Sequence, residues 1–296
     1  MKNKRIMKIL IALIVIVLIA FVTLTLMLPS FVMDAKKQTY EEAFEWQSEH
    51  YDTSFYDKLE KTDYTISSYD GYVLHVEFLK NPEPTTDYVI ITHGYTDNMM
   101  GSLKYAWLYL DLGYNCVIYD LRGHGKNEAT FTTYGIREAD DLICLIDDTR
   151  ERYPDITSLG LVGESLGSAT SVTCLKYKPD VDFVIADCGF SDIENVLKAG
   201  TPSFLVDLAD LGSRIRYHYS LKDMRPIDSL DDNTIPVLFI HGADDSLISP
   251  DNSERMAERT KGKSEFHLIP GADHAVSIIT EPGMYADIVR NFLGKK

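Results

Sequence analysis

Leu159-Gly160-Leu161-Val162-Gly163-Glu164-Ser165-Leu166-Gly167-Ser168 decides how the rest of the chain is read. An apolar run ends in Gly-x-Ser-x-Gly at 163–167 and passes directly into a helical pattern, Ala169–Lys178. A strand, a sharp turn and a helix in that order hold a serine at the apex, with its hydroxyl exposed at the strand's carboxyl end. Such a turn leaves no room for side chains on its flanks, and Gly163 and Gly167 stand there. Without that context the pattern reads only as a glycine-rich turn with a surface serine.

Working outward, the same kind of short apolar run recurs. Tyr88–Thr92, Cys116–Tyr119, Leu159–Val162, Phe183–Ala186, Val237–Ile240 and Glu265–Ile269 are each four or five residues long. Helical patterns separate most of them, at Gly101–Leu112, Ile136–Arg152, Leu166–Lys178, Pro250–Thr260 and Pro282–Leu293. Strands apolar on both faces and alternating with helices predict an α/β fold around a mainly parallel sheet. Tyr64–Ser67 and Tyr72–Phe78 flank Asp70-Gly71, a turn dipeptide, and predict an antiparallel hairpin at one edge. That makes eight strands, flanked by helices. Ser191–Asn233 breaks the rhythm with two helical patterns and no strand. Some forty residues is too long for an ordinary connection. A helical lid is expected there, with Phe204, Leu205, Leu208 and Leu211 facing an acyl pocket, while Arg214 and Arg216 leave open a lid that selects an acidic substrate.

The chain has 296 residues, 45% of them hydrophobic, enough for one large core. Its net charge of −16, with no Lys/Arg cluster beyond the N-terminus, argues against nucleic-acid binding. Cys116, Cys144, Cys174 and Cys188 are widely spaced within apolar patterns and read as free thiols that pack as small hydrophobes. Their spacing does not exclude disulfides. No ligand spacing for a metal is present, and no cofactor is implied.

Lys2, Lys4, Arg5 and Lys8 precede Ile9–Leu28, twenty residues without a charge. As a helix that run is roughly 30 Å long, the thickness of a bilayer core. A cleaved signal peptide would have a shorter apolar region and a small-x-small site, and neither is evident, so residues 1–33 read as an uncleaved anchor. The basic flank predicts a cytoplasmic N-terminus and an extracytoplasmic catalytic domain at the cell membrane. Residues 34–63 read as a stalk or N-terminal helix packed on the main domain, because Tyr40, Phe44, Tyr51, Phe55 and Leu59 recur at near-helical spacing. The main domain, 64–296, carries the lid insertion at about 191–233.

In open parallel sheets, ligands bind beyond the carboxyl ends of the strands. His93-Gly94-Tyr95, Asp120–Gly125, Ser165, His241–Asp245 and Gly271–His274 all fall at such ends. A serine hydroxyl needs a base to take its proton, and the base needs an orienting acid. His274 is the candidate base, in a loop after Pro270-Gly271, whereas His267 alternates within a strand. Asp245 is the candidate acid and its neighbour Asp244 the competitor; Asp273 is expected to orient the loop. The backbone N–H groups of Leu166 and Tyr95 are the candidate donors to an oxyanion. His93 and Arg122 are read as braces.

With these residues in view, the chain resembles the α/β-hydrolase superfamily over roughly residues 64–293. The matching features are His93-Gly94, Asp-x-Arg-Gly-His-Gly at 120–125, Gly-Glu-Ser-Leu-Gly at 163–167, His-Gly-x-x-Asp at 241–245 and His274. It is most similar to membrane-anchored bacterial members grouped with serine aminopeptidase-like and dienelactone-hydrolase-like proteins. One departure is Ser249, where that acid-loop motif often carries proline; Pro250 follows, which bears on the choice between Asp244 and Asp245. The resemblance implies a serine hydrolase with a Ser-His-Asp triad and an acyl-enzyme intermediate. A carboxylesterase on short or medium acyl esters is the leading expectation, and an aminopeptidase-like serine peptidase the rival. A non-catalytic surface binding protein on a hydrolase scaffold is the third reading. The expected partners are a small ester or short peptide and, through the N-terminal helix, the membrane.

Overall fold

The computed structural model describes residues 2–295, with side chains from Lys4 to Lys295. Met1 and Lys296, at the ends of the expected segments, and the side chain of Lys2 lie outside the described residues.

Helix α1 (Lys2–Met33) contains the expected span but runs on through Pro29. Helix α2 (Tyr40–His50) starts at a capping box in which Thr39 Oγ1 accepts from the Glu42 N–H and Glu42 Oε2 from the Thr39 N–H. After the short α3 (Ser54–Lys58) come the hairpin strands β1 (Lys61–Ser67) and β2 (Val73–Leu79). Then follow β3 (Asp87–Thr92), α4 (Leu103–Asp111), β4 (Asn115–Tyr119), α5 (Ile136–Arg152) and β5 (Ser158–Glu164). The chain continues through α6 (Leu166–Cys174), β6 (Phe183–Asp187), α7 (Ile193–Gly200) and α8 (Ser203–Arg216). It closes with β7 (Val237–Gly242), α9 (Asp251–Arg259), β8 (Ser264–Ile269), α10 (Ser277–Thr280) and α11 (Pro282–Leu293).

The eight strands form one sheet in the order β1-β2-β4-β3-β5-β6-β7-β8. β3 to β8 pair in parallel, and β2 is antiparallel to both its neighbours. This is the α/β-hydrolase fold. Period-two alternation divides the core between the two faces. Ile90, Val117 and Leu161 face one layer, with α5, α6 and α9; Val89, Ile118 and Val162 face the other, with α4 and α11. The residues 34–63 segment packs on the second layer through Ala43, Phe44 and Phe55. The cysteines are free thiols, with Cys116, Cys174 and Cys188 buried.

The insertion at 191–233 contains the two expected helices, α7 and α8, but α8 is turned differently from the expectation. It buries Val206, Ala209, Gly212 and Ser213, while Phe204 and Leu211 face outward, 63% and 44% exposed. Its buried side meets the end of α1. A β-carbon on Gly212 would stand 1.9 Å from the Thr25 carbonyl oxygen. That carbonyl has no helical donor, because the residue four positions on is Pro29. The glycine lets α8 close onto the gap that the proline opens.

Candidate active site

β5 ends at Glu164 and α6 begins at Leu166, so Ser165 is the whole turn between them. Its φ of +51° is sparsely populated for a non-glycine residue and costs about 1–3 kcal/mol. The flanking glycines are required by contact: a β-carbon on Gly163 would lie 2.2 Å from the Gly167 carbonyl oxygen, and one on Gly167 would lie 2.0 Å from that of Thr92.

The loops after β7 and β8 bring two more side chains to this turn. Ser165 Oγ lies 3.0 Å from His274 Nε2, and His274 Nδ1 lies 2.7 Å from Asp245 Oδ2. The exposed Asp244 is not part of this line. Asp245 Oδ1 accepts the backbone N–H groups of Leu247 and Ile248, at 2.9 and 2.8 Å. Burial by itself would raise the Asp245 carboxyl's pKa, but hydrogen bonds from His241 and His274 outweigh it and hold the group below the ordinary carboxylate range. His241, to which the motif at 241–245 assigns no role, supports the acid. Its Nε2 stands 3.0 Å from Asp245 Oδ2 and its Nδ1 2.7 Å from Ser253 Oγ. The signal was its position four residues before Asp245. Asp273 Oδ1 accepts from the N–H groups of Ser246 and His274, tying the acid loop to the base loop. His267 is half-exposed on β8 beside Glu265, away from this cluster.

Gly94 brings the backbone before Tyr95 against the turn, a β-carbon there lying 3.6 Å from Ser165 Cβ. His93 braces this loop. Its Nε2 accepts the Leu121 N–H at 2.9 Å, so its Nδ1 carries the proton and donates to the Gly94 carbonyl at 2.8 Å. Leu166 opens α6, where the first N–H groups have no partner within the helix. The Tyr95 hydroxyl, in turn, donates to the Val32 carbonyl at 2.8 Å and accepts the Ala35 N–H at 3.0 Å. The loop beside the serine is thereby bonded to the end of α1. Arg122 braces as expected, fully buried between Asp141 and Asp70.

A family model described as the prolyl oligopeptidase family matches residues 101–292. The chain belongs to that family. Membership makes it a serine hydrolase. It is 32% identical to the uncharacterized protein YqkD of Bacillus subtilis, over 93% of each chain. It is also 26% identical to an uncharacterized membrane protein of Saccharomyces cerevisiae, over 81% of this chain and 80% of that one. Among solved structures it is similar to the Pyrococcus furiosus esterase Pf2001, with a TM-score of 0.67 and 22% identity over 82% of this chain and 96% of that one. It is similar too to puromycin hydrolase, with a TM-score of 0.62 and 16% identity over 80% of this chain and 40% of that one.

In this prolyl oligopeptidase-family chain, a pocket of about 190 Å³ adjoins the serine. Gly94, Tyr95, Ser165, His274 and Ala275 form its floor, and Gln38, Trp46 and Gln47, from the segment around α2, form its wall. Asp97, Lys104 and Glu164 complete it. Phe204, Leu205, Leu208 and Leu211 do not line it, so the expectation that the insertion forms the acyl pocket is corrected. α8 spends its buried side on the domain core and on α1, and Trp46 and Gln47 of α2 line the pocket instead. α2 is fastened there by the Tyr40 hydroxyl on Asp120 and by the Gln38 N–H on the Thr96 carbonyl, at 2.7 Å.

Behind the pocket lies a buried polar cluster. Lys104 forms an ion pair with Glu164 and donates to the Ala275 carbonyl at 2.9 Å, joining the serine turn to the histidine loop. The Tyr105 hydroxyl lies 2.9 Å from both Glu164 Oε2 and Asp187 Oδ2. Burial, with the Glu164 carboxylate beside it, pushes the Asp187 carboxyl up to about 6. A carboxyl whose folded pKa is raised above its unfolded value of about 4 holds its proton only in the folded state over that window. Stability from this group is therefore greatest at low pH and is lost as pH rises from about 4 through 6, by at most about 3 kcal/mol. Asp187→Asn is expected to remove that loss. Thermal melts at pH 5 and pH 8 check it, with the variant gaining on the parent protein at pH 8.

Proposed function

We propose that this chain is a carboxylesterase acting on short acyl esters by two-step acyl transfer to water. In this reading Ser165 is the nucleophile, His274 the general base and Asp245 the orienting acid. The Tyr95 and Leu166 N–H groups receive the oxyanion. The observation that carries the reading is the hydrogen-bonded line from Ser165 Oγ through His274 to Asp245, ending beside a small pocket. His274 takes the serine proton as the hydroxyl attacks the acyl carbon and returns it to the departing alcohol. Water then repeats the sequence on the acyl-enzyme. A strained serine and an acid bonded to two histidines also weigh against a retired binding scaffold.

The small volume of the pocket, lined on one side by Gln38, Trp46 and Gln47, favours a small acyl group over a long one. Each acyl methylene that finds apolar contact contributes about 0.8 kcal/mol, or roughly fourfold in kcat/KM. Across p-nitrophenyl esters, kcat/KM is expected to rise from acetyl to about butyryl and then fall. Trp46→Ala is expected to move the maximum to longer chains by about two carbons, at roughly fourfold per methylene. A profile identical in the two proteins would exclude Trp46 as the wall of the acyl site.

The Asp97 carboxyl, lining the same pocket beside the Lys104–Glu164 ion pair, favours a second reading, a short peptide or aminoacyl amide. Activity on alanine p-nitroanilide above that on acetyl and butyryl esters would select it. The basic residues before the apolar run support a further part of the proposal. α1 crosses the membrane with its N-terminus inside, and the catalytic domain lies outside the cytoplasm.

A further inference from the structure

We propose that the outward face of α8 lies in the outer interface of the bilayer that α1 spans. The inference rests on the anchor reading and goes beyond it, because it assigns a surface of the catalytic domain to the lipid.

Phe204, Leu208, Leu211 and Ile215 stand at i, i+4, i+7 and i+11 and so share one face of α8. Phe204 is 63% and Ile215 55% exposed, although the helix already buries another apolar side on the domain. A soluble surface rarely leaves such a stripe uncovered. What covers it follows from α1. Residues 4–24 of α1 project from the protein and are exposed, whereas Thr25, Pro29 and Met33 are buried. Twenty-one projecting residues measure about 31 Å as a helix, the thickness of a hydrocarbon core. The lipid therefore ends where the α8 contact begins.

That contact is fixed. Gly212 closes on the Thr25 carbonyl, and the Arg216 guanidinium donates to the Leu26 carbonyl at 2.7 Å and to Ser30 Oγ at 2.5 Å. α8 is held within two turns of the point where α1 leaves the domain. An interfacial helix buries its apolar side by about 5–10 Å and keeps its charges at the headgroups. Arg216 sits at the helix end, and Arg214 pairs with Asp210 at 2.8 Å, so apolar burial rather than net charge drives the contact.

The test uses the full chain in phosphatidylcholine nanodiscs, in a Cys144→Ser background that leaves the three buried thiols unreactive. An environment-sensitive fluorophore is placed singly at Phe204→Cys, Leu211→Cys, Val17→Cys within α1, and Met284→Cys on α11 across the sheet. Quenching by brominated lipid is read at each. The expected result is strong quenching at 17, and quenching at 204 and 211 at least about threefold above that at 284. Quenching at 17 with none at 204 or 211 overturns the proposal while sparing the anchor. No quenching at 17 overturns the anchor reading and the proposal with it. A blue shift at 204 that needs two chains per disc and is not quenched by lipid would instead assign the stripe to a second copy.

Discussion

Replacing Ser165 with alanine is expected to lower kcat by about 10⁴–10⁶ while leaving the fold intact. The change removes only the hydroxyl that lies 3.0 Å from His274 Nε2. Nothing else in the site can substitute for it as a nucleophile. Water attacking directly would still use the oxyanion donors and the base, which leaves a residual rate well above the uncatalysed one. The backbone strain at φ +51° is kept with alanine, so the variant should melt within a few degrees of the parent protein. Hydrolysis by the purified variant at near the parental rate would remove Ser165 from the chemistry.

Asp245→Asn is expected to cost about 10³–10⁴ in kcat. The geometry says why a nearly isosteric change should matter so much. Oδ1 accepts two backbone N–H groups, from Leu247 and Ile248, so the asparagine carbonyl oxygen must occupy that place. Its NH₂ then falls where Oδ2 was and donates toward His274 Nδ1. The imidazole is forced into the tautomer with its proton on Nε2, facing Ser165, and cannot accept the serine proton. The NH₂ also faces His241 Nε2, which stands 3.0 Å from Oδ2 and 2.9 Å from the Ile248 carbonyl, so that contact is lost too. Asp244→Asn, at an exposed position away from this line, should cost far less. Parallel kinetics of the two variants check the register. A larger loss in the Asp244 variant would reverse it.

Much of the fold was legible because two signals coincided. Buried runs such as Phe183–Asp187 and Val237–Gly242 are apolar on both faces, and helices such as Ile136–Arg152 and Pro282–Leu293 keep their period to the ends seen in the structure. The edge strands were less clear. β1 begins at Lys61, before the expected Tyr64, and Lys61, Thr62 and Asp63 carry no apolar alternation that would mark them as strand. The candidate site was legible where a backbone constraint demands a residue type, as Gly163 and Gly167 do around Ser165. The wall over the serine was not. Gln38, Trp46 and Gln47 have no motif, and their position depends on how residues 34–50 turn back from α1 onto the Asp120 loop. The orientation of α8 was hidden for a similar reason. Its sequence has apolar residues on two faces, and which one is buried depends on distant contacts, with the domain core through Val206 and Ala209 and with the end of α1, where Gly212 meets a carbonyl left free by Pro29, 183 residues earlier.

The proposed chemistry stands on Ser165 as a nucleophile activated by His274. Its most direct measurement is labelling of the full-length protein by a fluorophosphonate, with the adduct located by peptide mass spectrometry. The expected result is one adduct per chain, on Ser165, abolished in Ser165→Ala and slowed by at least about a hundredfold in His274→Ala, the range that loss of a general base produces. An adduct on another residue, or no adduct on the folded protein, would contradict it.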